Sequence, residues 1–183
     1  MNVTAKKCRN ASATREAILM AAKLHFSRDS YDQAGIRAIA ADAGIDPAMI
    51  CRYFGSKRGL FAEVLDDIGE DPMKFFAGER SSFGKRVAAL MLEPEKHFPE
   101  CRTFINLVTR SSGSDEARGT LKQHLNKQFI RPFSDWLGDR DAEAKSWRIL
   151  SILMGLTITD DIRPLRKADA STLARLLQSV LDT

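Results

Sequence analysis

DPAMICRYFGSKRGLF, residues 46–61, sets two helix starts within one short stretch. Asp46 suits an N-cap, where its carboxylate accepts backbone N–H groups that lack partners, and Pro47 suits the first helical position, where no N–H is needed. The segment they open ends at Gly55. Ser56 then caps a further helix whose buried stripe is Leu60, Phe61, Val64, Leu65 and Ile68, with DIGEDP, residues 67–72, marking its end. Upstream, Ile36, Ile39, Ala40 and Ala43 make an i, i+3, i+4, i+7 stripe that Gly44 terminates as a left-handed residue. Helix, glycine-containing turn and short helix is the pattern of a helix-turn-helix unit, whose second helix lies in a DNA major groove.

The remaining periodicity is helical too, with no alternating run that reads as a strand, so an all-α protein is expected. The first helix is expected from about Ser12 or Thr14 to Phe26, with Thr14 a candidate N-cap, Ile18, Ala22 and Phe26 on one face, and residues 1–11 loose. SRDSYDQAG reads as a loop. Beyond Pro72, helices are expected at about 80–92, 100–111, 115–137, 141–161 and 170–182. Ser114 with Asp115 and Glu116 makes a good start for the third of these, because acids favour the positive end of a helix. WRILSILMGLTI, residues 147–158, is apolar on most sides and needs cover on more than one face. The last helix carries Leu173, Leu176, Leu177, Val180 and Leu181 as its stripe.

Of the 183 residues 44% are apolar and 28% charged, as in a folded soluble protein, and no apolar run is long enough for a membrane span. Basic residues near the start are not followed by the apolar stretch of a secretory signal, so a cytoplasmic location is expected. Cys8, Cys51 and Cys101 include no CxxC pair, and His25, His97 and His124 lack metal-ligand spacing, so neither a disulfide framework, a metal site nor a cofactor is indicated. The net charge of +4 is uneven. Residues 1–60 hold 10 Lys/Arg against 5 Asp/Glu, and the remainder is close to neutral. An anionic partner for the first third is consistent with that balance, as is an ordinary solvated surface.

IRAIAADAGIDPAMICRYFGSKRGLFAEVL, residues 36–65, resembles the core of the tetracycline-repressor (TetR) family of bacterial transcription regulators, including its YF-x-SK-x-x-L signature at Tyr53, Phe54, Ser56, Lys57 and Leu60. The resemblance implies an N-terminal three-helix helix-turn-helix domain, residues 1–60, and a larger helical domain, residues 61–183, for effector binding and dimerisation. It further implies a homodimer formed through the last two helices, double-stranded operator DNA as partner, and release from the operator by a small-molecule effector. Matched by position, Arg37 reads a base or grips a phosphate. Pro47, Ala48 and Met49 begin the recognition helix, Arg52 is a further contact, and Tyr53 and Lys57 hold the phosphate backbone. Lysine beside a helix N-terminus is a sound phosphate ligand on physical grounds as well. Two positions depart from the family pattern. Cys51 stands where a DNA-touching tyrosine is common, and Gly35 where a hydroxyl often meets a phosphate, leaving its backbone N–H for that role. With an apolar start to the recognition helix, base reading would rest on Arg37, Arg52, thymine methyl contacts and DNA shape.

Phe104, Leu107, Phe129, Trp147 and Met154 are candidate effector contacts; His97, His124 and Arg110 are candidates to orient a polar ligand, with surface roles the favoured expectation, and Phe54 is expected in the core. Oxidation of Cys51 would obstruct a groove-facing helix, but Arg52 alone is a weak means of lowering a thiol pKa, so no redox switch is expected. The rival reading is a helical small-molecule-binding protein or enzyme without a regulatory DNA-binding role. No paired carboxylates, nucleophile with base, or phosphate loop supports it.

Overall fold

The computed structural model of the chain describes residues 3–68, 78–97, 99–160 and 162–183, without the side chains of residues 3–10, 94 and 95. Every regular element among them is helical: α1 (Val3–Arg28), α2 (Ile36–Asp42), α3 (Pro47–Phe54), α4 (Lys57–Ile68), a 3-10 turn (Arg80–Ser82), α5 (Phe83–Met91), α6 (Pro94–His97), α7 (Cys101–Ser111), α8 (Asp115–Leu125), a π-helical segment (Asn126–Ile130), α9 (Arg131–Leu137), α10 (Ala142–Asp160), a second 3-10 turn (Lys167–Asp169) and α11 (Ala170–Asp182). Two compact units divide the chain: residues 1–68 with 106–122, and residues 69–105 with 123–183.

In the first unit α1 packs on α2 and α4, and α3 packs on α2 and α4. The three apolar stripes expected for α1, α2 and α4 supply the core: Ile18, Ala22, Phe26, Ile39, Ala40, Leu60, Phe61, Val64 and Leu65 are fully buried. Its centre is aromatic. Phe26 stacks on Tyr31 at 5.9 Å, and Phe61 meets both rings edge-on at 5.0 Å, arrangements that add to the gain from burial. Tyr31 lies in the expected loop yet is completely buried, so this connection is part of the core. Helix α1 begins at Val3, well before Ser12, and Thr14 stands inside it rather than at its cap. Residues 3–13 contain neither glycine nor proline, and polarity alone does not break a helix. The expected stop at DIGEDP runs past Ile68 and out of the described residues.

The second unit has one apolar core, from Phe83, Val87, Met91, Phe129, Phe133, Ile149, Leu153, Leu173, Leu177 and Leu181 among others. Helices α5 and α11 cross unusually closely at Gly84, where a Cβ would stand 2.1 Å from the Ala174 carbonyl oxygen, and the Gly84 amide donates to Oε1 of Gln178 at 3.1 Å. Leu176 departs from the expected stripe and is half exposed. The expected helix over 115–137 forms with a π-helical interruption. Pro132, two residues past that segment, has no N–H for the carbonyl of Gln128, and a wider turn accommodates the gap. Lys145 is buried in α10, donating to Oδ2 of Asp139 and to the carbonyl of Leu181, both at 3.0 Å, and so holds the end of α11.

Candidate nucleic-acid interface

The turn between α2 and α3 is built from the residues that signalled it. Gly44 adopts φ +67°, and the amides of Gly44 and Ile45 donate to the carbonyls of Ala41 and Ala40 at 3.1 and 3.0 Å, a Schellman closure that satisfies the last turn of α2. Asp46 then caps α3, its Oδ1 accepting the Ala48 amide at 2.8 Å, with Pro47 at the start of the helix. Ile50 is the fully buried anchor of α3. Because Ile50 points inward, Ala48, Cys51 and Arg52, at helical spacing, point outward and are exposed; Pro47, Met49 and Tyr53 flank them, half buried.

The junction after α3 is equally specific. Gly55 takes φ +75°, the Ser56 amide donates to the Phe54 carbonyl at 2.9 Å, and Oγ of Ser56 accepts the Gly59 amide at 3.0 Å to cap α4. A Cβ on Gly59 would lie 2.0 Å from the Phe54 carbonyl oxygen, so glycine is the residue that fits there. Phe54, expected in the core, is only partly buried, and the guanidinium of Arg15 lies over its ring at 5.3 Å. Arg15 itself pairs with Glu63.

Arg37 and Arg52 are exposed and pair with no acid among the described residues; Asp42, the acid in the same helix as Arg37, is bound to His25 instead. Arg58 is equally exposed and has no acidic partner among the described residues, and sequence reasoning passed over it although it directly follows Lys57 in the signature. Gly35 caps α2 in extended geometry, no side chain accepts from the first turn, and the space a side chain would occupy there is open. Lys57 is half buried, its ammonium 4.7 Å from the centre of the Tyr31 ring and 3.4 Å from the Asp32 carbonyl oxygen.

Two family descriptions match the chain: bacterial regulatory proteins, tetR family, over residues 18–64, and the tetracyclin repressor-like C-terminal domain over residues 81–183, more than half its length. The chain belongs to the tetracycline-repressor family. It is 28% identical over 136 residues to the HTH-type transcriptional regulator RutR of Escherichia coli K12, covering 70% of this chain and 64% of that relative. The HTH-type transcriptional repressor NicS of Pseudomonas putida is 33% identical over 105 residues, covering 56% of this chain and 44% of NicS. The crystal structure of NalD, the secondary repressor of the MexAB-OprM multidrug efflux pump in Pseudomonas aeruginosa, matches with a TM-score of 0.69 at 20% identity, covering 94% of this chain and 97% of that one. That likeness shows the fold.

In this TetR-family chain the candidate effector contacts are divided between the two units. Leu107 is buried in the first unit, while Phe104, Phe129, Trp147 and Met154 belong to the second. Phe129 is part of the second unit's core, and Trp147 and Met154 pack against it. Phe104 faces His124 at 5.8 Å, and His124, expected at the surface, is buried. A stripe reading assigns faces within one helix and gives no warning that a polar residue has an aromatic partner on a different helix. A groove of about 470 Å³ between α5 and α11, lined by Ser81, Lys85, Ala88, Leu92, Ala174 and Arg175 among others, includes none of the five candidates. Cys51 is exposed with a free thiol. No group of His, Cys, Asp and Glu among the described residues has metal-ligand geometry, and no described helix is long and apolar enough to cross a membrane.

Proposed function

We propose that the chain is a sequence-specific DNA-binding transcriptional regulator of the bacterial cytoplasm, acting as a repressor and releasing its operator when a small-molecule effector binds. The observation that carries this reading is the outward face of α3. Ala48, Cys51 and Arg52 are presented by a capped, anchored helix, with the unpaired cations Arg37, Arg52 and Arg58 on the same unit. Cations left without acidic partners are available to phosphates and base edges, and a positive surface gives association that weakens with salt. Arg37 and Arg52 are assigned to base edges or adjacent phosphates, Gly35 and Tyr53 to the backbone on either side, Pro47, Ala48 and Met49 to groove contact, and Lys57 with Arg58 to a phosphate beyond the groove helix. The words regulator and repressor attached to RutR, NicS and NalD support the regulatory role.

A homodimer through α10 and α11 accounts for their uncovered faces. Ser151, Gly155 and Ile158 lie along one exposed side of α10, and Leu176 is exposed on α11. Small residues flanked by exposed large apolar ones suit a close crossing with a second copy. Two recognition helices would then read a pseudo-palindromic site. An effector that binds better to the conformation with misplaced recognition helices would shift the population off DNA.

Selection from a pool of random duplexes tests the proposal. Enrichment of a two-fold symmetric motif is expected, with its half-sites about one helical turn or more apart. A pool that stays random through repeated rounds at low salt would contradict it.

A further inference from the structure

Lys57 is seated by residues far from it in sequence. The Tyr31 ring under its ammonium is locked between Phe26 and Phe61, and the Tyr31 hydroxyl donates to Oε1 of Glu116 at 2.9 Å. The neighbouring Asp32, whose carbonyl accepts from Lys57, is held in turn through Oδ1 by the hydroxyl of Ser114 at 2.7 Å. The Ser114 oxygen also accepts the Ala117 amide at 3.3 Å, which caps α8. The first turn of α8 therefore fastens both groups that hold the lysine. An ammonium has three N–H donors. Asp32 uses one and the ring attracts the charge from one side, which leaves donor capacity for an anion outside.

We propose that Tyr31, Ser114 and Glu116 are positioning residues for a DNA phosphate contact made by Lys57. The proposal rests on the DNA-binding reading above. It deepens that reading because Ser114 and Glu116 lie in the stretch matched to the C-terminal family description, so the start of α8 completes the phosphate site of the first unit. A lysine free in solvent loses rotamer freedom when it grips a phosphate, and a seat already formed in the free protein removes part of that loss. Burial first, and then the bond to Glu116, push the Tyr31 phenol well above its ordinary pKa, so the donor keeps its proton under all DNA-binding conditions.

The test compares Glu116→Ala with Glu116→Gln. Both remove the same charge, and only glutamine keeps an acceptor for the Tyr31 hydroxyl. The difference between them isolates the hydrogen bond. Each is made with and without Lys57→Ala, and binding to a labelled mixed-sequence duplex is followed by anisotropy over a potassium chloride series, with thermal melts to confirm folding. Lys57→Ala is expected to lower the salt slope by about one. With Lys57 present, Glu116→Ala should bind roughly three- to tenfold more weakly than Glu116→Gln, the effect of one partly buried hydrogen bond. With Lys57 absent, the two should bind alike. Equal binding by the alanine and glutamine forms in the presence of Lys57 would overturn the positioning role, as would a difference that persists without it. Wild-type protein with no salt-dependent duplex binding would instead defeat the DNA-binding reading itself.

Discussion

Nε2 of His25 lies 2.7 Å from Oδ2 of Asp42, and Nδ1 of the same ring lies 3.6 Å from Asp29. The buried imidazole thereby joins the end of α1 to the last residue of α2, and it takes up the one acid in α2, leaving Arg37 exposed with no acidic partner among the described residues. Removing the carboxylate leaves a buried ring nitrogen unpaired. Asp42→Ala is expected to destabilise the protein by about 1–2 kcal/mol in equilibrium denaturation, while Asp42→Asn, which keeps an acceptor, should cost less.

Gly84→Ala reverses an ordinary expectation. Alanine in a helix is favoured over glycine by about 0.5–1 kcal/mol. At this site the added methyl would meet the Ala174 carbonyl at 2.1 Å and the Gln178 backbone nitrogen at 2.9 Å, and neither is a flexible side-chain end. The substitution should destabilise by about 2–3 kcal/mol through forced separation of α5 and α11. A melting temperature equal to or above wild type would show that this crossing is loose.

Tyr31 makes stability depend on pH at the alkaline end. A phenol whose pKa is raised on folding keeps its proton after the unfolded chain has released it, so the unfolded state binds fewer protons above about pH 10 and stability falls as pH rises from there. Below that pH the contribution is fully present. Urea midpoints measured from pH 8 to 11 should fall more steeply for wild type than for Tyr31→Phe, and parallel curves would contradict the buried, bonded phenol.

Gly155 faces open space within one chain, so Gly155→Arg should leave the subunit folded. In the proposed dimer the arginine would enter the α10 contact. Sedimentation is expected to change from twice 20.4 kDa for wild type to a single chain for the variant. A dimer that survives this change together with Leu176→Glu would move the interface elsewhere.

Much of the first unit was legible in its sequence because the signals there are local. Asp46 with Pro47, Gly44 as terminator and Ser56 as cap each act within four residues, and each bond is present. Long-range relationships were not legible. Nothing around Tyr31 announces that its ring enters the core and its hydroxyl meets Glu116, 85 positions away. Gly59 and Gly84 look like helix weaknesses until the backbone against them is seen. Lys145 reads as surface on charge alone, and its burial is explained only by Asp139 and the end of α11. The π-helical segment before Pro132 had a visible cause, since a proline inside an otherwise helical run marks a missing hydrogen bond. Apolar stripes specify burial without specifying which helix is opposite, so the stripes alone do not say which of the effector candidates face one another.

The central claim is that the α3 face with its unpaired arginines binds duplex DNA by sequence. Its most direct test is anisotropy binding of DNA from beside the protein's own gene against a scrambled duplex of the same composition, for wild type, Arg52→Ala and Lys57→Ala. The account predicts preference for the native fragment. Arg52→Ala should reduce that preference by about 1–3 kcal/mol if its contact is to a base edge, and Lys57→Ala should weaken both duplexes alike. Equal binding of the two duplexes by wild type, unchanged by either substitution, would contradict it.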